Sequence, residues 1–244
     1  MKAKAVLLDL DDTLLCNHME RFVPRYMQML SQAFGALISP ERLLEKIMEG
    51  MAAMDAGDGK GPCNEEVFRQ VFFRAAGQKE AALDAVFKRF YAQDFPQLRA
   101  ITRPLPEARP LLERLSASGR QVVVATNPVF PRTAVEQRLE WAGIPVKEFP
   151  YTLLTTIENM HATKASPDYY REILSLLNLP PRECLMAGDD WERDVKPASA
   201  AGIPVYWVTG CGRARETVLS SSDRGPDPDL WRGEGSLGDL LEIL

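Results

Sequence analysis

Carboxylates crowd two places in this chain. The stretch "LLDLDDT" (7–13) gathers Asp9, Asp11 and Asp12 at the end of an apolar run, and "GDDWERD" (188–194) gathers Asp189, Asp190 and Asp194. So much like charge at the end of a buried strand needs something positive beside it. Carboxylate oxygens suit Mg²⁺, which binds through a few carboxylates together with phosphate oxygens and waters. Asp9 and Asp11 stand two residues apart, so extended backbone sends both side chains to the same side. Asp12 then points the other way, toward solvent or a helix end. Thr126 and Asn127 follow the apolar "VVVA", and Lys164 lies just before a helix start. Acids at two strand ends with a Thr and a Lys between them describe a divalent cation beside an anion.

These residues need a frame that brings distant segments together. Residues 3–10 read as a buried strand of a parallel sheet. The next ninety residues carry apolar side chains at helical spacing: Phe22, Tyr26, Leu30 and Phe34, then Leu44, Ile47 and Met51. Val67, Val71 and Ala75, then Leu83, Val86, Phe87 and Phe90, repeat the pattern, with Gly35, "DAGDGKGP" (55–62) and Gly77 as breaks. About four helices and no strand are expected there. Strand and helix signals then alternate. "QVVVATN", "FPYTLLTT", "CLMAGDD" and "PVYWVTG" read as strands, the last of them the final clear one. Between them lie helices closed by Gly119 and Gly143, a third opened by Ser166 and Pro167, and "RDVKPASAAG". "SSSDRGPDPD" (220–229) reads as a surface loop and "SLGDLLEIL" as a terminal amphipathic helix. The pattern predicts an α/β fold, a doubly wound, Rossmann-like parallel sheet interrupted after its first strand by an inserted helical domain. The core would comprise residues 1–16 and 97–244, the inserted helical domain residues 17–96. In such sheets ligands bind beyond the carboxyl ends of the strands, where all the residues named above fall.

The bulk numbers fit a globular protein of 244 residues, 45% hydrophobic and 26% charged. A balance of 29 basic against 34 acidic residues, net −5, argues against nucleic acid as partner. No apolar run approaches a membrane span, and the N-terminal run meets acid at Asp9, too early for a secretory signal. Cys16, Cys63, Cys184 and Cys211 show no paired spacing and read as reduced thiols, hence a cytoplasmic location. A monomer is the plainest expectation.

Four segments, "DLDDT" (9–13), "VVVATN" ending at Thr126 and Asn127, "TKASPD" around Lys164 and "GDDWERD" (188–194), resemble in order the four motifs of the haloacid dehalogenase-like hydrolase superfamily. The resemblance covers almost the whole chain, and the helical insertion resembles the cap of the C1-capped phosphatase branch. It implies Asp9 as nucleophile, forming an aspartyl phosphate, and Asp11 as proton donor to the leaving oxygen and later acceptor from water. It implies that Thr126, Asn127 and Lys164 hold the phosphoryl group. Mg²⁺ would be held by Asp9, the Asp11 backbone carbonyl and Asp189, with Asp190 or Asp194 in support. Dehalogenases of the family lack an acid two residues after the first Asp, since halide leaves without a proton; Asp11 thus favours phosphate esters. The third motif departs from the frequent Lys-Pro-x-Pro, reading Lys-Ala-Ser-Pro over 164–167.

The expected activity is Mg²⁺-dependent hydrolysis of a small phosphorylated metabolite. The rivals are a phosphosugar mutase with the same nucleophile and, from another class, a receiver-like signalling module, which would have no use for Asp11. "GDGKG" (57–61) fails as a phosphate loop, because Gly61 stands where Ser or Thr should follow the Lys. It reads as a cap loop whose Lys60 or Asp58 would reach substrate only on closure.

Overall fold

The computed structural model describes residues 3–35, 37–76, 80–211 and 226–244. Gly77 and residues 220–225 of the expected surface loop lie outside the described residues.

Its centre is a six-stranded parallel sheet with β1 (Ala5–Leu8) in the middle. β4 (Gln121–Val124) and then β5 (Leu153–Leu154) lie on one side. β6 (Cys184–Gly188), β7 (Val205–Val208) and β8 (Trp231–Gly235) lie on the other. β1 is buried along its whole length because helices cover both faces. Val6 and Leu8 face one apolar cluster, with Leu111 and Leu139. Ala5 and Leu7 face the other, with Tyr169 and Ile173. This two-residue alternation is the pleat of a strand buried on both sides. Helices α5 (Ala108–Ala117), α6 (Arg132–Trp141), α7 (Pro167–Leu177) and α8 (Lys196–Ala200) make the crossovers. Gly119 and Gly143 leave α5 and α6 at φ +68° and +75°, a region that only glycine enters without strain. The Ser166 side chain caps α7 by accepting from the Asp168 N–H.

The register sets the site. Leu8 pairs with Val124 on one side and with Ala187 on the other. The carboxyl ends of β1, β4 and β6 therefore lie side by side, and the residues that follow them share one edge.

The chain leaves this core through a two-residue strand, β2 (Leu15–Cys16), and returns antiparallel to it through β3 (Arg103–Pro104). Between them stand α1 (Met19–Phe34), α2 (Pro40–Asp55), α3 (Asn64–Ala76) and α4 (Glu80–Arg89), followed by tighter and wider helical turns to Ile101. Phe34, Phe72 and Phe87 form an edge-to-face aromatic centre. The inward faces differ in detail from the sequence reading. Leu43, not Leu44, is buried in α2, and α3 turns Phe72 inward where the spacing of Val67 and Val71 favoured those residues. Bulk explains the second difference, since a phenylalanine buries more apolar surface than a valine.

Two further differences concern the core. β8, "WRGEG", lies at the sheet edge beyond the strand expected to be last, with a shifted register against β7. Its two glycines and two charges hide the signal, which an edge strand tolerates because one side meets solvent. Cys16 and Cys211, read as separate reduced thiols, are joined in a disulfide, while Cys63 and Cys184 are free. Their separation of 195 residues leaves no spacing to read; the fold alone brings the flank of β2 to the loop after β7. No helix among the described residues is long and apolar enough to cross a membrane.

Candidate active site

Asp9 is the first residue beyond β1, and its N–H donates to the Ala187 carbonyl (2.9 Å), which extends the pairing with β6 by one step. Its carboxylate is buried, and Lys164 Nζ donates to Oδ1 at 2.5 Å. The same ammonium donates to Asp194 Oδ1 at 2.6 Å. Lys164, 2% exposed, arrives from the loop before α7 and bridges two acids that lie 185 positions apart in sequence. Carboxylate oxygens of Asp9, Asp189 and Asp194 all lie within 4.8 Å of one another. One ammonium serves two buried carboxylates, so burial, with Asp194 and Asp11 adding repulsion, outweighs Lys164 and pushes Asp9 up to about 7. Lys164 is pushed up in turn by the two acids against its own burial.

The turn after β6 distinguishes its acids. Asp190 accepts from the N–H groups of Glu192 and Arg193, capping that turn, and its own N–H donates to Asp194 Oδ2 (3.1 Å). Asp194 is 1% exposed and faces Asp9. Gly188 makes room for it: a Cβ at Gly188 would fall 2.2 Å from Asp194 Oδ2. Asp189 is set by Thr13, whose hydroxyl accepts from the Asp189 N–H (3.1 Å), and by Trp207, whose indole N–H donates to the Asp189 carbonyl (2.8 Å).

Asp11 has separate partners. Its carboxylate accepts from Arg138 Nη1, and its other oxygen accepts from the Asn17 side-chain amide at 2.7 Å. Arg138 comes from α6, is fully buried and lies over the Phe130 ring. The Asp11 side chain thus points away from the clustered carboxylates, while its expected contact with the cation concerns the backbone carbonyl; Asp194, one of the two acids expected in support, joins Asp9 and Asp189 in the cluster. Asp12 turns to the start of α1, where it accepts from the N–H groups of Asn17 (2.8 Å) and His18 (2.7 Å).

Thr126 and Asn127 follow β4 on the same edge. The Thr126 carbonyl is held by the hydroxyls of Thr155 (2.7 Å) and Tyr169 (2.9 Å), and Asn127 Oδ1 accepts from the Lys164 N–H (3.2 Å). Asp9, Asp11, Thr126, Asn127, Lys164, Asp189, Asp190 and Asp194 all line one cavity of about 730 Å³ that continues between α1, α2 and α3. The helical segment touches the Lys164 loop directly. Asp55 accepts from the Thr163 hydroxyl (2.6 Å), and the Asn64 side chain donates to the Ala162 carbonyl (3.1 Å). Lys60 and Asp58 do not line the cavity; Asp58 instead accepts from the Lys60 N–H in an exposed turn.

Thr13, Asn17 and Arg138 were not among the residues expected to act here. Arg138 left a readable trace, since it falls with Val135, Leu139 and Ala142 on the apolar stripe of α6, where a charge needs a buried partner. Hard oxygen donors from three carboxylates fit Mg²⁺. A buried acid, a neighbouring acid held apart from it and a buried ammonium are the parts needed for nucleophilic attack at phosphorus with proton transfer.

Comparison with known proteins gives a consistent picture. A family model described as haloacid dehalogenase-like hydrolase matches residues 3–202. The chain is similar to phosphoserine phosphatase of Thermus thermophilus, 28% identical over 184 residues that cover 75% of this chain and 65% of that protein. It is 31% identical to hexitol phosphatase A of Escherichia coli over 133 residues, 54% of this chain and 58% of that one. Those matches span less than two thirds of either relative. Glyceraldehyde 3-phosphate phosphatase of Methanopyrus kandleri is 22% identical over 99% of this chain and 97% of its own. Among solved structures, a 2-haloacid dehalogenase from Pseudomonas syringae shares the fold with a TM-score of 0.62 at 22% identity, covering 99% of this chain and 97% of its own. A HAD phosphatase from Thermococcus onnurineus does so at 0.55 and 22%, covering 100% and 97%.

Proposed function

The chain belongs to the haloacid dehalogenase-like hydrolases, and on that premise we propose that it is a Mg²⁺-dependent phosphatase of a small phosphorylated metabolite, working through an aspartyl phosphate on Asp9. The observation that carries the reading is the division of labour between Asp9 and Asp11. Asp9 sits with Lys164, Asp189 and Asp194, while Asp11 is held two residues away by Arg138 and Asn17. A dehalogenase has no use for the second acid; an alkoxide leaving group does.

In this reading Asp9 Oδ attacks phosphorus and the ester oxygen departs in line, taking its proton from Asp11, which must first turn from Arg138 and take up a proton to serve as the acid. Water then attacks the phosphorus of the aspartyl phosphate, Asp11 takes the water's proton, and the bond from phosphorus to the Asp9 oxygen breaks to free phosphate and restore Asp9. Asp9, Asp189 and Asp194 would hold the cation, which supplies charge neutralisation for the phosphoryl oxygens. Lys164 keeps Asp9 oriented and adds a second positive charge, and Thr126 and Asn127 offer hydrogen bonds from the β4 side. Asp190 serves by shaping the turn that delivers Asp194. The helices between residues 17 and 96 form the cap over this edge. The Cys16–Cys211 bond takes away the thiol argument for a cytoplasmic location.

The test is phosphate release from an aryl phosphate and a metabolite panel, with Mg²⁺ or with chelator, by the wild type and Asp9→Asn. Metal-dependent turnover that falls by at least about 10³-fold in the variant is expected. Turnover unchanged by Asp9→Asn contradicts the mechanism.

A further inference from the structure

Resting on the phosphatase reading, we infer that the ester handled here carries an apolar alcohol portion, an alkyl or aryl group, and not a polyol or an amino acid. The cavity of about 730 Å³ is large enough for a leaving group well beyond three carbons. Its catalytic end is the acid edge already described. Away from it, the lining includes Met19, Met27, Met51, Met54, Phe68 and Phe87. Four of the chain's nine methionines thus line one cavity. Unbranched thioethers adapt to apolar ligands of different outline and offer almost no hydrogen bonding.

Several polar groups along the cavity are already engaged with one another, and Gln137 donates to the Tyr91 carbonyl (2.8 Å) while its side-chain oxygen has no partner among the described residues. The hydroxyls of Tyr26 and Tyr91 bond each other at 2.9 Å. Arg69 is held by Asp84 (2.7 Å) and by Glu80, and Lys88 pairs with Asp84 at 2.8 Å. A hydroxyl-rich or zwitterionic alcohol would give up water on entering and find thioethers and rings in its place, a loss that apolar contact does not offset. An alkyl or aryl group gains from the same lining.

The experiment measures kcat/KM by phosphate release for propyl, butyl, hexyl and octyl phosphate below micelle-forming concentrations. The comparison set is phosphoserine, sorbitol 6-phosphate and glyceraldehyde 3-phosphate. Across the alkyl series kcat/KM should rise about two- to fourfold per added methylene, and hexyl phosphate should exceed all three polar esters. Met51→Gln should flatten that slope, lowering octyl phosphate turnover more than propyl. Polar esters turned over as well as hexyl phosphate, or a flat alkyl series, overturn the inference and leave the phosphatase reading standing. Failure of every ester, the generic aryl phosphate included, overturns the phosphatase reading and the inference with it.

Discussion

Asp9 and Asp11 leave the same strand two residues apart and enter opposite surroundings. Asp9 belongs to a cluster of three carboxylates in which one ammonium serves two of them, Asp9 and Asp194, and it holds its proton up to about 7. Asp11 has a guanidinium and an amide of its own, supplied by α6 and by the residue that leads into α1. The difference lies in the allocation of positive charge. A carboxylate cluster short of cations is a place for a metal ion and a nucleophile. A carboxylate with a private partner is kept apart from the cluster, ready to act on a different atom.

The strongest way to break the comparison is to remove the second acid alone. Asp11→Asn should lower kcat on alkyl phosphates by about 10²- to 10⁴-fold. On p-nitrophenyl phosphate, whose leaving group departs without a proton, the loss in the first step should be far smaller. Equal losses on both would mean that Asp11 does not serve the leaving oxygen. A milder perturbation is Arg138→Met, which keeps the volume and removes the partner. We expect about a tenfold loss in kcat with KM little changed, again greater for alkyl than for aryl esters. Arg138→Lys should recover part of it. A uniform loss with a lowered melting temperature would reduce Arg138 to a packing role.

The smallest effect concerns the other half of the comparison. Burial makes the folded, metal-free protein hold the Asp9 proton more tightly than the unfolded chain, where the value is near 3.8. That contribution to stability is full below 3.8 and is lost as pH rises through about 7. With chelator present, the melting temperature of the wild type relative to Asp9→Asn should therefore drop by a few degrees between pH 5 and pH 8. Mg²⁺ should reverse that drop by binding the ionised form. A difference independent of pH would remove the charge-crowding account.

Much of this was legible in the sequence because the signals are local. The apolar runs of β1, β4 and β6 end in residues that line one cavity, and Ser166, Pro167, Gly119 and Gly143 mark helix ends by their own backbone chemistry. What escaped depends on distance. The sequence placed Asp190 and Asp194 equally near the metal; only the turn after β6 shows one capping backbone and the other reaching Asp9. Arg138 lies 127 positions from Asp11, and Cys16 lies 195 from Cys211. β8 escaped because an edge strand of Trp, Arg, Gly and Glu carries no alternation to read.

The most direct test of the central claim is chemical capture of the intermediate. Enzyme turning over a phosphate ester with Mg²⁺ is quenched in acid, reduced with borohydride and mapped by peptide mass spectrometry. An aspartyl phosphate is reduced to homoserine, and the account predicts homoserine at position 9, absent without substrate. Turnover with no homoserine at position 9, or homoserine at Asp11 in its place, would contradict it.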